Sequence, residues 1–265
     1  MNGSGLWTLL SFLDMSYVLT MTSSSSDALA QNPVFSVASP EERGRLIGAS
    51  RQRTFAAGEP IIVEGQTAES VFALEEGAVR VFHLSPKGEE VVVKLFRAPA
   101  IFGEAEALGG VTHQEHVSAL GVSRVLVIPL RAVVQLLRAE PECAFRLLVD
   151  VAARLAIAAY NEKSLAFHPL TIRLANYLLD YAAWTNPPGA PELRISLTQD
   201  EMAAAVGGTR RSVAKDMIAW QEEGILERHG RHYVLRDIEA LRRYSDGGRL
   251  ELTYQLLEQR LARLG

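Results

Sequence analysis

The chain has 265 residues and a mass of 29.0 kDa, with 48% hydrophobic and 22% charged residues. That is enough to bury a core and build two ordinary domains, and it excludes a disordered or fibrous chain. The formal net charge is −4, so any anion-binding role has to come from local placement and not from a bulk basic balance.

Its one cysteine, Cys143, excludes an intramolecular disulfide framework, a four-cysteine zinc site and a cysteine-ligated iron–sulfur cluster. It points to a cytoplasmic protein and reads as a small buried hydrophobe.

Residues 6–19, LWTLLSFLDMSYVL, are apolar but carry Asp14 and fall short of the roughly 20 residues a spanning helix needs. No basic residue precedes them, so a secretory signal is not expected, nor is a membrane partner. The polar tract TSSSSDALAQN follows, and residues 1–35 are expected to form a flexible arm.

Ser39, Pro40 and Glu42 ahead of RGRLI supply an N-cap, a first-turn proline and a capping-box partner, which predicts a short helix. Apolar bursts then recur at IIV (61–63), VFAL (71–74), VRVFHL (79–84), VVVKLF (91–96) and RVLVI (124–128), with glycines between them. Many short strands at this spacing predict a β-roll of jelly-roll type over residues 36–138.

The period changes after Pro141. Phe145, Leu148, Ala152, Leu155 and Ala159 alternate steps of three and four, and no glycine interrupts before His168. This predicts one long helix within 139–168 carrying an apolar seam. The seam could pack on its own sandwich or meet the same seam of a second copy. A repeat of about 3.5 residues with small alanines favours a homodimer.

Up to His168 there are 14 Lys+Arg against 18 Asp+Glu, and from Pro169 onward 13 of each. Within this neutral second half, Thr198 and Glu201 form a capping box, Met202 and Val206 give the helix an apolar side, and Gly207 and Gly208 end it. Thr209 then caps a second helix on which Val213, Met217 and Trp220 face inward. At about 100° per residue, Arg211 and Lys215 fall nearly opposite that stripe, with Arg210 at the leading tip.

Two short helices across a glycine turn, the second presenting cations, form a helix-turn-helix. ILERHGRHYVL adds two strands of a wing, so residues 169–245 read as a winged DNA-binding domain. Arg210, Arg211 and Lys215 are the expected base readers, since arginine and lysine match guanine O6 and N7. Thr198, Gln199, Thr209, Ser212 and Arg231 are the expected phosphate contacts. Residues 246–265 carry leucines at helical spacing and predict an amphipathic C-terminal helix.

Over roughly residues 35–245 the chain resembles the Crp/Fnr family of bacterial transcription regulators. LTQDEMAAAVGGTRRSVAKDMIAWQEEGIL resembles the family's winged helix-turn-helix, AFHPLTIRLANYLLDYA its hinge and first DNA-domain helix, and IFGEAEAL the start of its phosphate-binding cassette. The resemblance implies an α+β protein that is not an enzyme: a β-roll sensor, paired central helices, two recognition helices on a palindrome, and RNA polymerase as a further partner.

Within the cassette the implied effector residues are Gly103 and Glu104. His113 and Gln114 stand where cyclic AMP-binding members have an arginine and a serine. Ala158 and Ala159 replace the hydroxyls that contact adenine there, and the two departures together argue against cyclic AMP. On the DNA side, Arg211 replaces a glutamate that accepts from cytosine in some members, so the operator should differ from theirs.

The run HQEH places His113 and His116 beside Glu115, a metal or haem option that lacks the further ligands a closed site needs. The reading from another class is a β-roll binding module whose C-terminal domain serves protein contacts only.

Overall fold

The computed structural model of the chain describes residues 29–245 apart from 85–87, 89, 187–191 and 231. The expected C-terminal helix and most of the N-terminal arm lie outside the described residues, as does Arg231. The arm as drawn from the sequence is too long. Leu29, Val34 and Phe35 are at most 1% exposed and pack into the roll, so the ordered part begins before residue 36. Three apolar side chains placed against the roll's helices outweigh the polar tract that precedes them.

Helix α1 (Pro40–Ala49) starts where the cap signals put it, with the Ser39 hydroxyl accepting from the Glu42 amide at 3.3 Å. The reciprocal half of the expected capping box is absent. The Ser39 amide donates instead to the Glu140 carboxylate at 3.0 Å, a partner 101 residues away that local sequence cannot indicate.

Among the described residues eight strands follow, β1 (Arg51–Phe55), β2 (Pro60–Ile62), β3 (Ser70–Glu76), β4 (Ala78–Leu84), β5 (Glu90–Arg97), β6 (Ala100–Phe102), β7 (His116–Ala119) and β8 (Ser123–Pro129), with the short helix α2 (Glu104–Gly109) between β6 and β7. They form two four-stranded antiparallel sheets, ordered β1-β8-β3-β6 and β2-β7-β4-β5. The architecture is the expected roll.

The unbroken apolar run of β3 has a simple cause: both of its faces are buried. Phe72 and Leu74 point between the sheets with Phe55, Val79, Phe102 and Val125. Val71 and Ala73 point the other way, onto α1, α3 (Leu130–Ala139) and the start of α4 (Pro141–Phe167), with Leu46, Val133, Leu136, Cys143 and Leu147. The tight junction of β3 and β4 requires glycine. Gly77 has φ +87°, and a Cβ there would sit 2.5 Å from the Ser123 hydroxyl and 2.6 Å from the Val122 carbonyl.

Helix α4 runs from the roll to the second domain. That domain comprises α5 (Leu170–Thr185), β9 (Leu193–Ile195), α6 (Gln199–Ala205), α7 (Arg210–Glu222), β10 (Leu226–His229), β11 (His232–Leu235) and α8 (Ile238–Tyr244). It has its own core, in which Leu174, Leu178, Met202, Val213, Met217, Trp220 and Leu241 are at most 1% exposed.

The wing is a three-stranded sheet ordered β10-β11-β9, one strand more than the sequence pattern indicates. LRI is too short to carry a period. The domain rests on the roll through α5 and α6 against β5, where the Tyr177 hydroxyl donates to the Val92 carbonyl at 3.4 Å. Among the described residues no helix is long and apolar enough to cross a membrane.

Candidate nucleic-acid interface and roll cavity

The start of α6 carries a complete capping box. The Thr198 hydroxyl accepts from the Glu201 amide at 3.1 Å, and the Glu201 carboxylate accepts from the Thr198 amide at 2.6 Å. The two glycines of the turn do different work. Gly207 takes φ +61°, whereas Gly208 is needed for close approach, since a Cβ there would lie 2.1 Å from Leu170 Cδ1.

The turn is also pinned from α5. Arg173 donates to the carbonyls of Val206 at 2.8 Å, Gly207 at 3.3 Å and His168 at 2.6 Å. One guanidinium thus satisfies the end of α6 and the hinge after α4 together. The sequence reading missed Arg173 because its partners are backbone carbonyls, two of them 33 and 34 residues away.

On α7, Val213, Met217 and Trp220 are at most 1% exposed, which leaves the opposite face to Arg211 and Lys215. Arg210, Arg211 and Lys215 are all exposed. Arg210 lies 3.7 Å from Asp200 across the turn, an exposed ion pair of the kind that contributes little. The Thr209 hydroxyl caps the helix by accepting from the Ser212 amide at 3.2 Å and lies 2.9 Å from the Ser212 hydroxyl.

Thr209 and Ser212 therefore sit together at α7's first turn while Thr198 caps α6, and all three are exposed with hydroxyl capacity left toward solvent. Gln199 is half-buried and donates to the Tyr233 hydroxyl at 3.4 Å, which ties the first helix to the wing. At the wing tip Arg228 donates to the Gly230 carbonyl at 3.3 Å.

The α4 seam faces outward along its whole length. Phe145, Leu148 and Leu155 are 48%, 65% and 68% exposed, with Ala152 and Ala159 exposed beside them. The other face of the same helix, Cys143, Leu147, Asp150 and Ala153, is buried against the roll. Of the two arrangements a seam could serve, packing on its own sandwich is taken by different residues.

Between the sheets and α4 lies a cavity of about 290 Å³ whose wall includes Gly103, Glu104 and His113. Glu104 is 1% exposed and is held by Arg154 of α4 at 2.7 Å; Arg154 also bonds the Ile101 carbonyl at 3.1 Å and the Asp150 carboxylate. Burial pushes the Glu104 carboxyl above the usual range, and Arg154 works against that. His113 is buried too, and loss of solvent holds its pKa down.

Gln114 departs from expectation. It is exposed, and its amide turns back to the Thr112 carbonyl at 2.8 Å and hydroxyl at 3.2 Å.

The two histidines of HQEH also separate. His113 approaches Phe72 with ring centroids 6.3 Å apart, while His116 stacks on Phe82 at 5.2 Å and lies 3.5 Å from the Glu64 carboxylate. Among the described residues no group of three or more side chains that could hold a metal ion forms there, and Glu115 leans instead toward His83 at 3.8 Å.

Lys94 and Arg154 also line this cavity and were not singled out from the sequence. The signal was there: Lys94 interrupts VVVKLF on the face shared with Phe96, and Asp150 with Arg154 puts charges on α4's buried stripe.

Comparison with known proteins follows the same two-part division. The cyclic nucleotide-binding domain family matches residues 52–140 and the Crp-like helix-turn-helix domain family matches residues 172–244. The chain is 26% identical over 180 residues to the cAMP-activated global transcriptional regulator CRP of Escherichia coli O6:H1, covering 66% of this chain and 84% of that protein. It is 29% identical over 194 residues to the transcriptional regulator LdrP of Thermus thermophilus, covering 72% and 95% respectively. Among solved structures, a CRP-family transcriptional regulator from Thermus thermophilus superposes with a TM-score of 0.59 at 28% identity, covering 72% of this chain and 95% of that one.

Proposed function

We propose, from the premise that this chain belongs to the Crp/Fnr family of transcription regulators, that it binds a palindromic operator as a homodimer and that its β-roll senses a small signal other than cyclic AMP. The family is one of DNA-binding regulators and not of enzymes. The observation that carries the proposal is the face of α7, where three exposed cations stand over a fully buried apolar stripe.

In this reading Arg210, Arg211 and Lys215 enter the major groove and read base edges. Thr198, Gln199, Thr209, Ser212 and Arg231 hold phosphates and fix the helix in register. Pairing of the α4 seams supplies the second copy, and twofold symmetry then sets two half-sites about one helical turn, roughly 34 Å, apart. Bound in this way in the cytoplasm, the dimer meets RNA polymerase at its promoters.

The case against cyclic AMP rests on the cavity wall. His113 occupies the place of the phosphate-binding arginine, and a neutral imidazole lacks the bidentate fork that suits a phosphate. Gln114 turns to solvent, and Ala158 lines the cavity without a hydroxyl.

Selection of bound fragments from a random DNA pool, with and without cyclic AMP, tests both halves. The expected result is an enriched palindrome that is the same in the two conditions. Absence of any enriched sequence would refute the DNA-reading role, and a strong gain in affinity with cyclic AMP would refute the reading of His113.

A further inference from the structure

Two cations line the roll cavity, Lys94 and Arg154, and only Arg154 is held by a carboxylate. Lys94 projects from β5 into the cavity, and among the described residues its ammonium has neither a hydrogen bond nor an ion pair. Its one close aromatic neighbour is Phe96, with the ring centroid 5.2 Å away. Loss of solvent disfavours its charged form, the nearby Arg154 adds to the effect, and Glu115, Glu104 and Asp150 act the other way.

Arg154, which also stands 5.2 Å from the Phe96 ring, is already committed to Glu104, Asp150 and the Ile101 carbonyl. It has no charge left for a ligand. Glu104 is in the complementary position: one carboxylate oxygen is held by Arg154, and Oε2 is buried without a partner. The half-buried ammonium lacks an acceptor and the fully buried carboxylate oxygen lacks a donor, both lining one cavity, and the second is costly unless something supplies the missing group.

We propose that the cavity takes a small organic monocarboxylate with an apolar body and a hydroxyl group, its carboxylate on Lys94 and its hydroxyl donating to Glu104 Oε2. This rests on the reading of the roll as the sensor domain. The body lies against Ile62, Val81, Phe102 and Val117, and a cavity of about 290 Å³ is at the small end of ligand pockets.

Charge count disfavours a dianionic phosphate monoester relative to a monoanion. Only one cation is uncommitted, while Glu104, Glu106 and Glu115 line the same cavity and Asp150 stands behind Arg154. Each further negative charge on a ligand would face those carboxylates in a poorly solvated space. Neutral His113 adds a hydrogen bond and no charge.

The test is calorimetric titration of the full-length protein with 3-(4-hydroxyphenyl)propionate, its neutral carboxamide, and cyclic AMP. The acid is expected to bind at least about tenfold more tightly than the carboxamide and more tightly than cyclic AMP. Lys94→Met, of similar length and apolar, is expected to remove the preference for the acid while raising the melting temperature of the free protein. Glu104→Gln should spare that preference and weaken the hydroxylated acid relative to 3-phenylpropionate.

Tighter binding of cyclic AMP, equal binding of acid and carboxamide, unchanged binding by Lys94→Met, or no binding of the acid would each overturn the proposal. Fluorescence anisotropy on the selected operator is run on the same preparations. Loss of operator recognition there would count against the regulator role, whereas the titrations decide the cavity's chemistry without DNA.

Discussion

Leu147 and Leu148 are adjacent in sequence and opposite in consequence, and substituting each by alanine separates the fold from the dimer. Leu147 is 4% exposed and packs with Leu136 and Cys143; its truncation should cost about 2–5 kcal/mol of protomer stability. Leu148 is 65% exposed in the single chain, so truncation there should leave the protomer nearly as stable.

In the dimer its cost is different. Fully burying a leucine is worth about 1.5–3 kcal/mol, and about two-thirds of that remains to be gained on pairing, from two symmetric copies. Allowing for the methyl that alanine keeps, Leu148→Ala should weaken association by about 1.5–3 kcal/mol, or roughly 10- to 100-fold in the dimer dissociation constant. Sedimentation velocity over a dilution series measures that constant, and circular dichroism at low protein concentration measures the melting of the protomer. If Leu148→Ala melts as early as Leu147→Ala, or leaves the dissociation constant within about twofold, the seam is not the dimer contact.

Other predictions concern the DNA face, the turn and the thiol. Arg211→Ala should cost about 1–3 kcal/mol of operator binding and relax one base position, measured by anisotropy against single-base operator variants; uniform loss on every sequence would make it a phosphate contact. Gly207→Ala should destabilise the C-terminal domain by about 1–2 kcal/mol because of its left-handed backbone, and Gly208→Ala by about 1–3 kcal/mol through overpacking on Leu170, both read by urea unfolding.

Burial pushes the Cys143 thiol up to about 11 from an ordinary 9.0, so iodoacetamide should label it on the order of 100-fold more slowly in the native protein than in urea at neutral pH. Because the folded value is the raised one, its contribution to stability is complete below about 9 and is lost as pH rises through about 11. Cys143→Ala should remove that part of the alkaline decline in the melting temperature.

The DNA-binding half was nearly complete in the sequence, because its signals are local. A capping box spans three residues, a glycine turn two, and an inward stripe recurs every three or four, so Thr198, Glu201, Gly207, Val213 and Trp220 declare their positions without help from the rest of the chain. The seam of α4 declared itself in the same way, through its period. The cavity did not, because its parts come from β5, β6, the loop before β7 and α4.

What the amino-acid order alone determined is which faces are apolar and which carry charge: the strands of the roll, the outward seam, and the cations over Val213 and Met217. Only the tertiary structure decided how charges far apart in the chain are matched. It gave Arg154 to Glu104 across 50 residues and Ser39 to Glu140 across 101, turned Gln114 out, and left Lys94 without a hydrogen-bond or ion-pair partner among the described residues. The reason is physical: periodicity follows from backbone geometry and is readable in any short window. Pairing between buried charges depends on which strands and helices meet, and that is settled by the packing of the whole core.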